Sequence, residues 1–137
     1  AWVGLALLPP IYVVHVLGYL LLTLATKWLL LGRVRAGEYP LWGWFHLRWW
    51  FVDCVVRFND LFLEPFIMGT EIYNVWLRAL GARIGDGARV HTMSVTAFDL
   101  LDVGANTEVH SDYLHGHTVH PPSAGSGARL QLTPVWV

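Results

Sequence analysis

Charge is scarce in this chain. Only 14% of its 137 residues are Asp, Glu, Lys or Arg, against about 25% in an average soluble domain. The net charge is -1 and there is no polybasic run. Nothing therefore points to nucleic acid as a partner. Cysteine is nearly missing as well. Cys54 stands alone, which excludes an internal disulfide and any site built on CxxC pairs. A lone thiol fits a reducing compartment, and as a small hydrophobe Cys54 is expected in the core. No HExxH pattern is present. The N-terminus also lacks a basic region and a small-residue cleavage site, which argues against a secretory signal peptide.

What remains is apolar. Fifty-five percent of the residues are hydrophobic and eight are Trp. The length suits about one domain, and we read the chain as a piece of a longer polypeptide. Residues 11–31 are interrupted as polar groups only by His15, Thr23, Thr26 and Lys27. At about 1.5 Å per residue such a run matches a hydrocarbon core of roughly 30 Å. It predicts a transmembrane helix with Pro9-Pro10 at its start and Lys27 snorkelling to the interface. His15 receives no role. Arg33 and Arg35 follow the span and place the C-terminal side in the cytoplasm by the positive-inside rule.

Five aromatic rings fall between Trp42 and Trp50, with Phe51 next. Trp favours the membrane–water boundary, so residues 37–51 predict an interfacial helix; the other reading is an aromatic core under the next domain. Residues 55–68 are broken by Arg57, Asn59, Asp60, Glu64 and Pro65 and predict a second interfacial or docked helix. Ile72, Val75, Trp76 and Leu80 are spaced for one face of a third helix. Thr70 is its expected cap and Gly81 its expected end.

From residue 84 the periodicity changes. Ile84-Gly85-Asp86-Gly87-Ala88-Arg89-Val90 and Val103-Gly104-Ala105-Asn106-Thr107-Glu108-Val109 repeat one pattern. That is the mark of a hexapeptide-repeat left-handed parallel β-helix, with Ile84, Val90, Val103 and Val109 pointing inward. The spacing of 13 from Val90 to Val103 requires a bulge or a longer segment between them. Asp99 and Asp102 are expected to accept hydrogen bonds at corners. Residues 121–127 read as a linker, and 129–137 as a strand that Pro134 interrupts. The expected organisation is a transmembrane helix and flank in 1–36, an aromatic interfacial region in 37–83, the start of a β-helix in 84–120, and a linker with a possible strand in 121–137. The fold class is a membrane-associated α plus β protein, its helices followed by a partial left-handed β-helix.

Four histidines, His110, His115, His117 and His120, lie close together. A neutral imidazole suits the role of a base toward an attacking amine or hydroxyl near pH 7. His117 is the first candidate because Gly116 permits close approach. His115 and His110 follow, and Asp112 could orient a ring. A metal reading would use His115 and His117 with His110 or Asp112. No cysteine or HExxH pattern supports it, so no metal is expected.

The run Tyr39-Pro-Leu-Trp-Gly-Trp-Phe-His-Leu-Arg-Trp-Trp50 resembles the membrane-proximal part of the terminal domain of nonribosomal-peptide-synthetase-like proteins. Gly69-Thr70, Trp76-Leu77-Arg78-Ala79-Leu80-Gly81-Ala82-Arg83-Ile84-Gly85 and Asp99-Leu100-Leu101 resemble it too. The resemblance covers roughly residues 11–120. Poly-lysine synthetases carry such domains in tandem, linked by transmembrane helices. The resemblance implies an acyltransferase-type β-helix that transfers an aminoacyl group from a carrier-protein thioester to an amine. Gly116-His117-Thr118 matches the family's Gly-His-Thr stretch, whereas His120-Pro121-Pro122 and the Gly/Ser run depart from its acidic continuation. The implied donor is the phosphopantetheine thioester of a carrier domain, with no cofactor bound directly. Implied partners are the lipid bilayer, the carrier domain, and neighbouring β-helix domains or a trimer-like packing. The alternative is a non-catalytic membrane anchor or assembly module of a larger protein.

Overall fold

The computed structural model describes residues 2–92, 95–111, 114–122 and 127–137. The first helix, α1, runs Trp2–Leu30. It is apolar nearly all round, and its segment Ala6–Leu30 is long and apolar enough to cross a membrane. Leu8, Ile11, Val14, Leu21 and Leu29 stand exposed along it, so α1 is not a core helix of this chain. Pro9 and Pro10 lie inside the helix rather than at its start. Their missing N–H groups leave two earlier carbonyls without helical donors.

The aromatic stretch and the segment after it form one helix, α2, Trp44–Ile67, not two interfacial helices. Two of the polar residues expected to break the run, Arg57 and Asn59, find partners. Arg57 Nε donates to Asp53 Oδ2 at 2.7 Å, one turn away. Asn59 is buried and donates its amide to Thr23 Oγ1 of α1. The Tyr19 and Phe58 rings meet beside that bond, 5.4 Å apart. Cys54, expected in the core, is exposed on α2.

Lys27 does not snorkel. It is 1% exposed, and its Nζ lies 3.0 Å from Asp99 Oδ1 and 2.9 Å from Oδ2. Asp99 also accepts the backbone N–H of Val34 at 3.1 Å. Asp99 thus ties α1 and the segment following it to the β-rich half, where the sequence suggested only a corner acceptor. Gly81 makes room for the pair. A Cβ there would fall 2.2 Å from Asp99 Oδ1, and its φ of +113° is one that L side chains rarely adopt.

Helix α3, Glu71–Ala79, starts where Thr70 caps it by accepting from the Tyr73 N–H. The Asn74 amide and then the Arg78 guanidinium hold the Glu71 carboxyl below its ordinary range. The buried face is the expected one only in part: Leu80 is buried and Trp76 packs against the core. Tyr73, Asn74, Leu77 and Leu80 turn inward, while Ile72 and Val75 are exposed. Polar partners accompany the buried leucines on this face: Asn74 donates to Ala88 O at 2.7 Å and Tyr73 Oη to Thr92 O at 3.4 Å. Gly81 and Ala82 close the end, donating to Arg78 O and Leu77 O.

Eight short strands occur among the described residues. They are β1 Gly37–Pro40, β2 Arg83–Ile84, β3 Arg89–Thr92, β4 Leu101–Val103, β5 Glu108–Ser111, β6 His117–His120, β7 Arg129–Leu132 and β8 Val135–Trp136. They form sheets ordered β1-β7-β6, β2-β4-β8 and β3-β5. The two hexapeptide copies do pair with one another in parallel, Ile84 opposite Val103 and Val90 opposite Val109. These four aliphatic residues are buried.

The expected left-handed β-helix is nevertheless corrected to three small sheets. The strands are two to four residues long, and no solenoid is built among the described residues. The chain reverses after β6, so that β6, β7 and β1 pair antiparallel. Pro121 and Pro122 have no N–H to extend a ladder, and β6 ends just before them. The odd spacing between the copies contains Ala97 in a left-handed conformation and the 3₁₀ turn Phe98–Leu100. The expected interruption at Pro134 separates β7 from β8.

Apolar residues gather in two cores. One joins α2, α3 and the parallel strands through Val56, Leu77, Leu80, Val90 and Val103. The other joins Trp49 of α2 to Val34, Ala97, Leu130 and Leu132. Removing one partner of the buried Lys27–Asp99 pair leaves an uncompensated charge, a loss of about 3–5 kcal/mol. We therefore expect Asp99→Ala to lower stability on that scale in detergent-solubilised protein, measured by denaturant unfolding. Replacing both residues with apolar ones of similar volume should recover most of the loss.

Candidate functional site

Strand β7 sets the geometry around the histidines. Its sequence Arg-Leu-Gln-Leu alternates, and Leu130 and Leu132 are buried. The outward residues make polar contacts: Arg129 with Glu38 at 2.8 Å, Gln131 with His120 at 2.6 Å. In β6, His117 stands opposite Leu132. Directly opposed residues share a sheet face, so His117 turns toward α2. Gly116 allows the approach, as a Cβ there would lie 3.0 Å from Thr133 O and 3.4 Å from Ala97 Cβ.

His117 is held by several groups. Its Nδ1 is 3.1 Å from Thr96 Oγ1, and Thr96 is buried. The Trp49 ring meets it edge-on, centroids 5.2 Å apart. His115 lies at the same distance with its ring nearly perpendicular. His46 also stacks on Trp49, with centroids 5.9 Å apart. His46 Nδ1 is buried with no hydrogen-bond partner among the described residues. Burial lowers the His117 pKa from its ordinary 6.5, and the charge of His115 pushes the same way. Asp53 opposes both, and Arg57 lowers the pKa slightly further. The imidazole is therefore neutral at pH 7 and able to accept a proton.

Of the sequence candidates, the structure brings His117 and His115 together. His115 precedes β6 rather than sharing its face with His117. His110 belongs to a different cluster, stacked on His91 with centroids 4.7 Å apart and 3.1 Å from Glu108. Asp112 lies outside the described residues. Sequence reading missed Thr96, Trp49 and Asp53. The last two carry a legible signal: Trp49, Asp53 and Arg57 recur every four residues on one helix, and so share a face.

The site is thus a half-buried histidine with its Nδ1 beside a buried hydroxyl and a second histidine at its flank. The chain is similar to Delta-poly-L-ornithine synthetase of Acinetobacter baumannii (strain AB307-0294), with 30% identity over 116 residues. The match covers 80% of this chain and 8% of that protein, so the chain spans a small part of the curated relative. No family model matches, and no solved structure matches.

The lowered pKa has a testable sign. Between its native pKa and 6.5, unfolded His117 binds a proton that the native protein does not. Stability from this group is thus constant above about 6.5 and falls as pH drops through the native value. An NMR titration of the imidazole should give a midpoint below 6.5. Asp53→Asn should move it lower still, and His115→Ala should move it up.

Proposed function

We propose that this chain is a membrane-tethered part of a nonribosomal-peptide-synthetase-like protein that forms amide bonds from carrier-bound aminoacyl groups. The observation that carries the reading is His117, a neutral half-buried base within a chain similar to a poly-L-ornithine synthetase. The donor is an aminoacyl thioester on the phosphopantetheine arm of a carrier domain. The acceptor amine attacks the thioester carbonyl, its nitrogen forms the new C–N bond, and the C–S bond breaks. His117 takes the proton that the amine loses and returns it to the leaving thiolate. With the Nδ1 proton donated to Thr96, Nε2 carries the lone pair for that step. His115 and Asp53 tune the ring through their charges.

The exposed apolar length of α1 supports the tether. Arg33 and Arg35 beyond it favour placing the remainder of the chain on the cytoplasmic side. The rival reading, an anchor or assembly module without chemistry, would draw on the same helix.

Removing a general base costs on the order of 10²–10⁴ in rate. His117→Ala in the full-length protein should lower product formation by at least about a hundredfold, while the protein remains folded and membrane-bound. Product formation at the native rate would leave only the anchor reading. On alkaline carbonate extraction the chain should stay in the membrane pellet; release to the supernatant would refute the span.

A further inference from the structure

We propose that His91, Glu108 and His110 form a binding site for a divalent transition-metal ion of the zinc class. The parallel pairing of β3 and β5 assembles it. His91 stands directly opposite His110, and Arg89 opposite Glu108. Side chains two residues apart on a strand share a face, so Glu108 and His110 join His91 on one side. One ligand atom from each of the three residues lies within 4.8 Å of the others. His110 Nε2 is 3.1 Å from Glu108 Oε1, and His91 Nε2 is 3.8 Å from the same oxygen.

Zinc–nitrogen and zinc–oxygen bonds of about 2.0–2.2 Å in a tetrahedron place neighbouring ligand atoms roughly 3.3–3.5 Å apart. One of the two contacts with Glu108 is already at or inside that distance. The other needs to close by a few tenths of an ångström, and the three ligand atoms, now within 4.8 Å of one another, draw together on binding. Two imidazoles and one carboxylate make the mixed N/O donor set that zinc accepts, leaving a fourth position open.

The His91 ring is fixed from behind. A Cβ on Gly69 would fall 2.1 Å from its Cε1, and the Gly69 N–H donates to Val90 O at 3.1 Å. The ring thus rests against bare backbone, which keeps it beside Glu108 and His110. The two rings lie parallel, with 4° between their planes, so each in-plane lone pair reaches a shared cation by a turn of its ring about the Cβ–Cγ bond. Arg89 lies in the same register and is the local charge that opposes the ion.

The test titrates the whole chain with Co²⁺ alone and follows its visible absorption, with Zn²⁺ as competitor. One saturable site per chain is expected, displaced by Zn²⁺. Loss of outer-shell partners of a metal site already costs 10–100-fold in affinity, so His91→Ala, His110→Ala and Glu108→Gln should each weaken binding by at least about tenfold. Glu108→Gln is near-isosteric at an exposed position, which keeps the result separable from folding. His117→Ala should leave Co²⁺ binding unchanged, so failure of this site is distinguishable from failure of the catalytic reading. The proposal is overturned by the absence of saturable binding in the unaltered chain. It is equally overturned by binding that survives Glu108→Gln and the two histidine changes undiminished.

Discussion

The buried pair between Lys27 and Asp99 is the constraint on which the arrangement depends. Neither side chain reaches bulk water, so each must satisfy its charge through the other. Lys27 comes from the end of the apolar helix and Asp99 from the 3₁₀ turn between the two hexapeptide copies. The pair fixes where α1 meets the β-rich half. Asp99 also takes the Val34 N–H, which sets the direction in which the chain leaves α1. Gly81, at the end of α3, has no side chain because the carboxylate occupies that space. Three elements distant in sequence therefore converge on one carboxylate.

The catalytic candidate inherits that placement. Val34 and Ala97 lie two residues or fewer from groups bound to or flanking Asp99, and both belong to the core around Trp49, Leu130 and Leu132. Trp49 reaches His117 from this core, and Thr96 reaches it from the residue before Ala97. Burial by these neighbours is what lowers the pKa of His117. The imidazole's chemistry is thus a consequence of packing between α2 and the antiparallel sheet. It does not follow from the histidine cluster as written in the sequence.

The polar residues of the helices show why a linear reading went astray. Arg57 and Asn59 looked like interruptions of an apolar run. In three dimensions one is absorbed by an ion pair a turn away and the other by a buried hydrogen bond to Thr23. Lys27 looked suited to an interface and found a carboxylate 72 residues away. In α3, periodicity selected Ile72 and Val75, yet Asn74 and Tyr73 found carbonyl partners on the parallel strands.

Local chemistry was legible in the sequence by itself. It determined the long apolar helix, the Thr70 cap, the burial of Ile84, Val90, Val103 and Val109, the break at Pro134, and His117 as a histidine beside a close backbone approach. These follow from side-chain polarity, hydrogen-bonding capacity and backbone freedom within a few residues. Tertiary structure alone decided the rest. Parallel registration of the repeats brought His91 to His110, the reversal at β6 turned the expected β-helix into small sheets, and α2 supplied Trp49 and Asp53 to His117. Those outcomes depend on partners far apart in the chain, and no local periodicity encodes which distant charge, carbonyl or ring a side chain will meet.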